Sequence, residues 1–142
     1  MSANQEQIVI VLGAIRDEHK QVLVARRVDT AVPDAFGKWE FVGGAVDFGE
    51  DPETALVREV AEESGLVVRI VRLLPKIFTH IWKTMSGESV HVLLVTYECT
   101  VVSGQLNNNR VADEIGDLQF VSPEVLKKMD TLPNVKETLK YL

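Results

Sequence analysis

GGAVDFGEDPETALVREVAEESGL, residues 43–66, holds a glycine pair, a helix with both ends marked, and a concentration of carboxylates. Asp51 offers a side-chain acceptor to the first unpaired backbone N–H groups, and Pro52 fits the first helical position, where its missing N–H costs nothing. Gly65 stands where a left-handed stop is expected. The spacing predicts a helix over residues 52–64 with Ala55, Leu56, Val60 and Ala61 as its apolar stripe. Glu59, Glu62 and Glu63 are three and four residues apart, so their carboxylates share one face. Like charges at that spacing repel by about 0.2–0.5 kcal/mol per pair, and the macrodipole disfavours anions near a helix C-terminus. A divalent cation offsets both effects, and clustered carboxylate oxygens suit magnesium or manganese. The alternative is a solvated acidic face. The glycine pair, Glu50 and Arg58 upstream favour the cation.

The remaining composition narrows the function classes. The 142 residues fit one domain, spanning 1–142, with room for a substantial core. A net charge of −6 without a long Lys/Arg cluster argues against a nucleic-acid polymer or an anionic membrane as partner. A small phosphorylated substrate carried as a metal complex is compatible with it. Cys99, the only cysteine, excludes an intrachain disulfide and is expected as a small hydrophobe in an apolar strand. No apolar run approaches the roughly 20 residues that span a bilayer, and no secretory signal pattern opens the chain, so a cytoplasmic setting is expected. His19, His80 and His91 lack metal-ligand spacing.

Alternation and turn chemistry predict strands over residues 8–15 and 21–27, joined as a hairpin, and a loop over 28–37 leading to a short segment at 38–42. Two β-rich stretches, 67–78 and 89–101, are expected to form a second hairpin about the turn at 85–88. A polar loop over 103–114, a strand over 118–121, a helix start at Ser122-Pro123-Glu124 and a helical segment over 134–142 complete the chain. Strands interrupted by one central helix and closed by others point to an α/β or α+β sandwich.

Gly44, Glu50, Arg58, Glu59, Val60, Glu62, Glu63, Gly65 and Leu66 together reproduce the signature of the Nudix hydrolases at every fixed position, and the chain resembles that family most specifically over about residues 36–66. The resemblance implies an α/β/α sandwich with a mixed sheet, in which the motif forms a loop-helix-loop. It implies water attack on a nucleoside diphosphate linked to another group, with a divalent cation, Mg2+ or Mn2+. It also implies that Glu62, Glu63 and the Gly43 carbonyl ligate metal. Glu59 is either a ligand or a general base acting through water. Arg58, off the face of Glu59 in sequence, is expected to reach around and orient it through a charge-assisted pair. Glu50 is expected to brace the loop, with metal contact as the alternative. A further catalytic carboxylate is expected from the loop before the last strand: Glu114 first, then Asp113, then Asp117.

Substrate-contacting residues follow from the same resemblance. Arg26 and Arg27 match an arginine that approaches phosphates in nucleotide-cleaving relatives; adjacent strand residues face opposite ways, and Arg27 is the choice. Lys38-Trp39-Glu40-Phe41-Val42-Gly43-Gly44 resembles the WEFPGG of the MutT-like nucleoside triphosphate pyrophosphohydrolases, departing at Val42, where proline is usual. Leu132-Pro133-Asn134 resembles a base-reading segment, so Phe41 is expected as an apolar wall and Asn134 as a base-edge contact. Capping of the last helix is the alternative for Asn134. The implied reaction is cleavage of a nucleoside triphosphate, canonical or oxidised, to monophosphate and pyrophosphate. The alternatives are ADP-ribose or dinucleoside-polyphosphate hydrolysis, and a catalytically silent nucleotide sensor. ADP-ribose-cleaving members usually carry an extra N-terminal region; only about seven residues precede the first expected strand here, which favours the smaller class. A monomer or homodimer is expected.

Overall fold

A computed structural model describes residues 5–107 and 115–142. Its centre is a mixed sheet in which β1 (Gln5–Arg16) runs parallel to β7 (Ser89–Gly104) along its whole length, from Gln5↔Ser89 to Arg16↔Thr100. The other pairings are antiparallel. They involve β2 (Val22–Arg27), β3 (Trp39–Glu40), β4 (Val42–Ala45), β5 (Leu66–Leu73), β6 (Phe78–Lys83) and β8 (Ile115–Val121). The path runs β3-β2-β1-β7-β5, with β4 on β1, β6 on β7 and β8 on β2.

Alternation along the central strands builds a core on each face. Val11 and Ile15 of β1, with Leu23 and Ala25 of β2, meet Ala55, Leu56 and Val60 of α1 (Pro52–Ser64). Leu12 and Ala14, with Val22 and Val24, pack on the other face with Leu126 of α2 (Pro123–Leu126) and Val135 of α3 (Pro133–Thr138). Successive side chains of a strand point to opposite faces, so two apolar sets require two covering layers. The result is the expected α/β/α sandwich. Arg16 and Arg72 both bond the buried Glu98, and Arg72 also donates to the Tyr141 carbonyl, tying the C-terminal segment to the sheet.

Two pairings differ from the expected hairpins. Strands β1 and β2 share only the Arg16↔Val22 register pair; β2 then pairs with β8 and β3 instead. The stretch over 67–78 divides into β5 and β6 around Leu74-Pro75. Only β6 forms the hairpin with β7, closing at Lys83↔Ser89, while β5 pairs farther along the same strand. Pro75 lacks the N–H a continuous ladder needs, and the 16 residues of β7 are long enough to hold both partners end to end. No helix among the described residues is long and apolar enough to cross a membrane.

Candidate active site

The ends of α1 form as the sequence predicts. Asp51 accepts from the N–H groups of Glu53 and Thr54, Pro52 follows it, and Gly65 takes φ 81° at the C-terminus. This fixes the helix against the sheet through Leu56 and Val60, both fully buried, and so orients the acidic edge beside them. Ser64, also buried, bonds the Val60 carbonyl at 2.6 Å.

Gly43 and Gly44 bring the β4 backbone close to that face. A Cβ on Gly44 would lie 2.5 Å from Cδ of Glu59, so the Glu59 carboxylate rests directly against the glycine. A Cβ on Gly43 would meet the Val11 carbonyl oxygen at 1.9 Å, inside the β1–β4 pairing.

Arg58 organises the acids. Its Nε and Nη2 donate to the two oxygens of Glu50 at 2.8 and 2.9 Å, and Nη1 donates to Glu59 Oε1 at 3.0 Å. The same Nη1 approaches Glu62 at 3.4 Å, and Asp47 lies 3.5 Å from Nη2. Glu50 also accepts from the Asp47 N–H, so it braces the loop as expected. The guanidinium holds the Glu50 carboxyl below the ordinary carboxylate range. Burial pushes Glu59 the other way, upward, against the pull of Arg58 and with Glu62 and Asp47 adding to the rise. A carboxylate with raised proton affinity, oriented by a fixed cation, is suited to take a proton from water.

A cavity of about 680 Å³ joins this acidic wall to the substrate-contacting candidates. Gly43, Gly44, Glu59, Glu62 and Glu63 line one part, and Arg27, Glu40, Phe41 and Asn134 line another. Of the adjacent arginines, Arg27 is the one in the cavity, and Arg26 is exposed. Arg27 Nε is buried without a hydrogen bond. Asn134 does not cap α3, whose N-cap is Leu132; it is buried, and its Nδ2 donates to Glu40 Oε1 at 3.1 Å. Phe41 is buried in the core beneath the cavity.

Among the later acids, Asp113 and Glu114 lie outside the described residues. Asp117 is not part of the cavity lining: it accepts from its own neighbours, the Leu118 N–H and Gln119 Nε2. Glu40 is the residue whose place the sequence reading missed. It stands inside the Trp39-Glu40-Phe41 match, in the short segment expected at 38–42, where nothing local marks an acid for burial. His80 also lines the cavity, its ring 4.1 Å from that of Trp82, whereas His19 and His91 do not. Cys99 is buried in β7 with its thiol pushed up to about 12, as an inert core residue should be.

Glu59, Glu62 and Glu63 supply hard oxygen donors along one wall, and the glycine pair leaves the β4 backbone close to Glu59, so the donor chemistry fits a divalent cation. Among the described residues no group of three His, Cys, Asp or Glu side chains is arranged to hold a metal ion, and Glu59 is engaged by Arg58.

Residues 6–142 match the model of the NUDIX domain family. Over 72 residues the chain is 36% identical to the 8-oxo-dGTP diphosphatase of Escherichia coli K12, a match covering 51% of this chain and about half, 54%, of that relative. Over 109 residues it is 28% identical to the nucleoside triphosphatase NudI of Escherichia coli O17:K52:H18, covering 73% and 75% of the two chains. The fold superposes on that of a MutT NUDIX hydrolase from Burkholderia pseudomallei with a TM-score of 0.74, at 24% identity, covering 96% of this chain and 98% of the other. With the motif, the sandwich and the arginine-braced acidic wall in agreement with a family match over nearly the whole chain, the protein belongs to the Nudix family.

Proposed function

We propose that this protein hydrolyses a nucleoside triphosphate to the monophosphate and pyrophosphate, using magnesium, with manganese able to replace it. The observation that supports this reading is that Glu59, Glu62 and Glu63 line the same cavity as Arg27, Glu40, Phe41 and Asn134. Its volume falls within the range of small-ligand sites. The relatives named for nucleoside triphosphate and 8-oxo-dGTP cleavage support the same substrate class.

Divalent metal use is general among Nudix hydrolases. Glu62, Glu63 and the Gly43 carbonyl would hold the cation, which when bound neutralises charge on the phosphate oxygens. Glu59, turned by Arg58 and raised in proton affinity, accepts the proton of the attacking water; direct metal ligation is its other role. Arg27, which lines the same cavity with its Nε buried and without a hydrogen bond, binds the phosphates. Phe41 and Asn134 stand on the base side. The single domain acts in the cytoplasm as a monomer or homodimer, on a small nucleotide rather than on a polymer or membrane.

Incubation of the purified protein and MgCl2 with canonical and oxidised nucleoside triphosphates tests the reading through pyrophosphate release. Cleavage of ADP-ribose with none of the triphosphates would replace it with the ADP-ribose reading. Nucleotide binding without any product would replace it with a silent sensor.

A further inference from the structure

β5 and β6 lie end to end along β7, and neither has a second partner strand among the described residues. An open edge offers unpaired N–H and C=O groups to any other strand, so natural sheets guard it with charges, bulges or proline. β5 is guarded in this way: Arg69 and Arg72 stand within it, and its register shifts between Val67 and Val68 and again between Ile70 and Arg72. β8, at the other side of the sheet on β2, carries Asp117 beside a register shift. β6 has no such guard. Its pairing with β7 is regular from Phe78↔Leu94 to Lys83↔Ser89, and Ile77-Phe78-Thr79-His80-Ile81-Trp82 contains no Asp, Glu, Lys, Arg, Pro or Gly. These are strand-favouring residues, yet Ile77 and Ile81 are 55% and 59% exposed.

The sequence of β6 selects what covers it. In an antiparallel pair related by a two-fold axis normal to the sheet, opposed residues share a face, so the axis passes through one residue. With the axis at Thr79, Ile77 meets the partner's Ile81, Phe78 meets the partner's His80, and Lys76 meets the partner's Trp82. Lys83 falls opposite the partner's Pro75, so no like charges oppose one another. Aliphatic, aromatic and cation–π pairs of this kind stabilise neighbouring strands. Lys76 already lies over the Phe78 ring, and the His80 ring is 4.1 Å from that of Trp82, so the four side chains of this face stand in one row. An axis at His80 would instead set Lys83 against Ile77 and His80 against itself. We infer that β6 is the interface between two copies of this chain, joined antiparallel about Thr79 into one continuous sheet. Phe78, His80 and Trp82 line the cavity, so the partner strand extends the floor of each cavity by one strand. The pairing does not depend on which phosphoanhydride is cleaved.

Sedimentation equilibrium of the wild type at micromolar concentration should give twice the 15.8 kDa mass of the chain. Ile81→Lys, at an exposed position, should leave the circular dichroism unchanged and raise the dimer dissociation constant at least about 10-fold. Thr79→Cys reads the register. Its two thiols would face each other across the axis with Cα atoms about 4.5–5.5 Å apart, within disulfide reach, so mild oxidation should give a covalent dimer in non-reducing electrophoresis. Ile81→Cys would set the two thiols about 14 Å apart along the strands and should stay uncrosslinked. Cys99 is buried and adds no background. A monomeric wild type overturns the inference. So does a dimer that Ile81→Lys leaves intact, one that Thr79→Cys fails to crosslink, or one in which Ile81→Cys crosslinks as fast as Thr79→Cys.

Discussion

Arg58 grips Glu50 with two parallel hydrogen bonds, Nε to Oε2 at 2.8 Å and Nη2 to Oε1 at 2.9 Å, which leaves Nη1 to reach Glu59. The planar fork suits this division of labour, since one edge is fixed by a carboxylate and the remaining nitrogen is aimed. Lysine is a point charge on a flexible stem and cannot do both. Arg58→Lys should therefore lower kcat by about 10- to 100-fold with a smaller change in KM. Steady-state kinetics on one triphosphate measures the split; a change confined to KM would show that Arg58 binds substrate rather than orienting Glu59.

The two glycines should separate in their effects. The added methyl of Gly44→Ala would meet only the end of the Glu59 side chain, which can swing away. The fold should persist while activity falls at least about tenfold, because Glu59 leaves its place. The methyl of Gly43→Ala would meet backbone, the Val11 carbonyl, and break the β1–β4 pairing. That variant should lose about 1–3 kcal/mol of stability. Thermal unfolding of both variants beside activity checks the contrast, and equal destabilisation would contradict it.

Glu40 should make stability depend on pH. Its folded value of about 7 lies above the ordinary glutamate value of 4.5, so in the window between them the folded state binds more protons than the unfolded state. The contribution is fully present below about pH 4.5 and is lost as pH rises through about 7, to a total on the order of 3 kcal/mol. Glu40→Gln, which cannot ionise, should remove this loss. Denaturant unfolding at both ends of the window tests it: relative to wild type, the variant should gain stability at the higher pH. An unchanged difference across the window would show that Glu40 does not titrate there.

Much of α1 could be read in advance because its instructions are local. Asp51, Pro52 and Gly65 lie beside the backbone groups they satisfy, and the apolar stripe has the period of the helix it forms. The strand partners were harder to foresee. Pairing of β2 with β8 joins residues nearly a hundred positions apart, and the full-length parallel match of β1 to β7 leaves no mark in the turns. Glu40 escaped notice for the same reason: Asn134, which bonds it, and the cavity that gives it a role are both products of tertiary packing. Arg27 over Arg26 could be chosen from strand alternation only once the motif had named the cleft.

The N-cap gives a local check on α1. Asp51→Ala removes the acceptor for the Glu53 and Thr54 N–H groups and should cost about 1 kcal/mol. A loss well below that would mean the helix is held in place by Leu56 and Val60 packing alone.

Pyrophosphate release from nucleoside triphosphates in the presence of MgCl2, compared between wild type and folded Glu62→Gln and Glu63→Gln variants, tests the central claim most directly. The wild type should release pyrophosphate and monophosphate in equal amounts, and each variant should be slower by at least about 100-fold. Equal rates in all three proteins, or no triphosphate cleavage by the wild type, would contradict it.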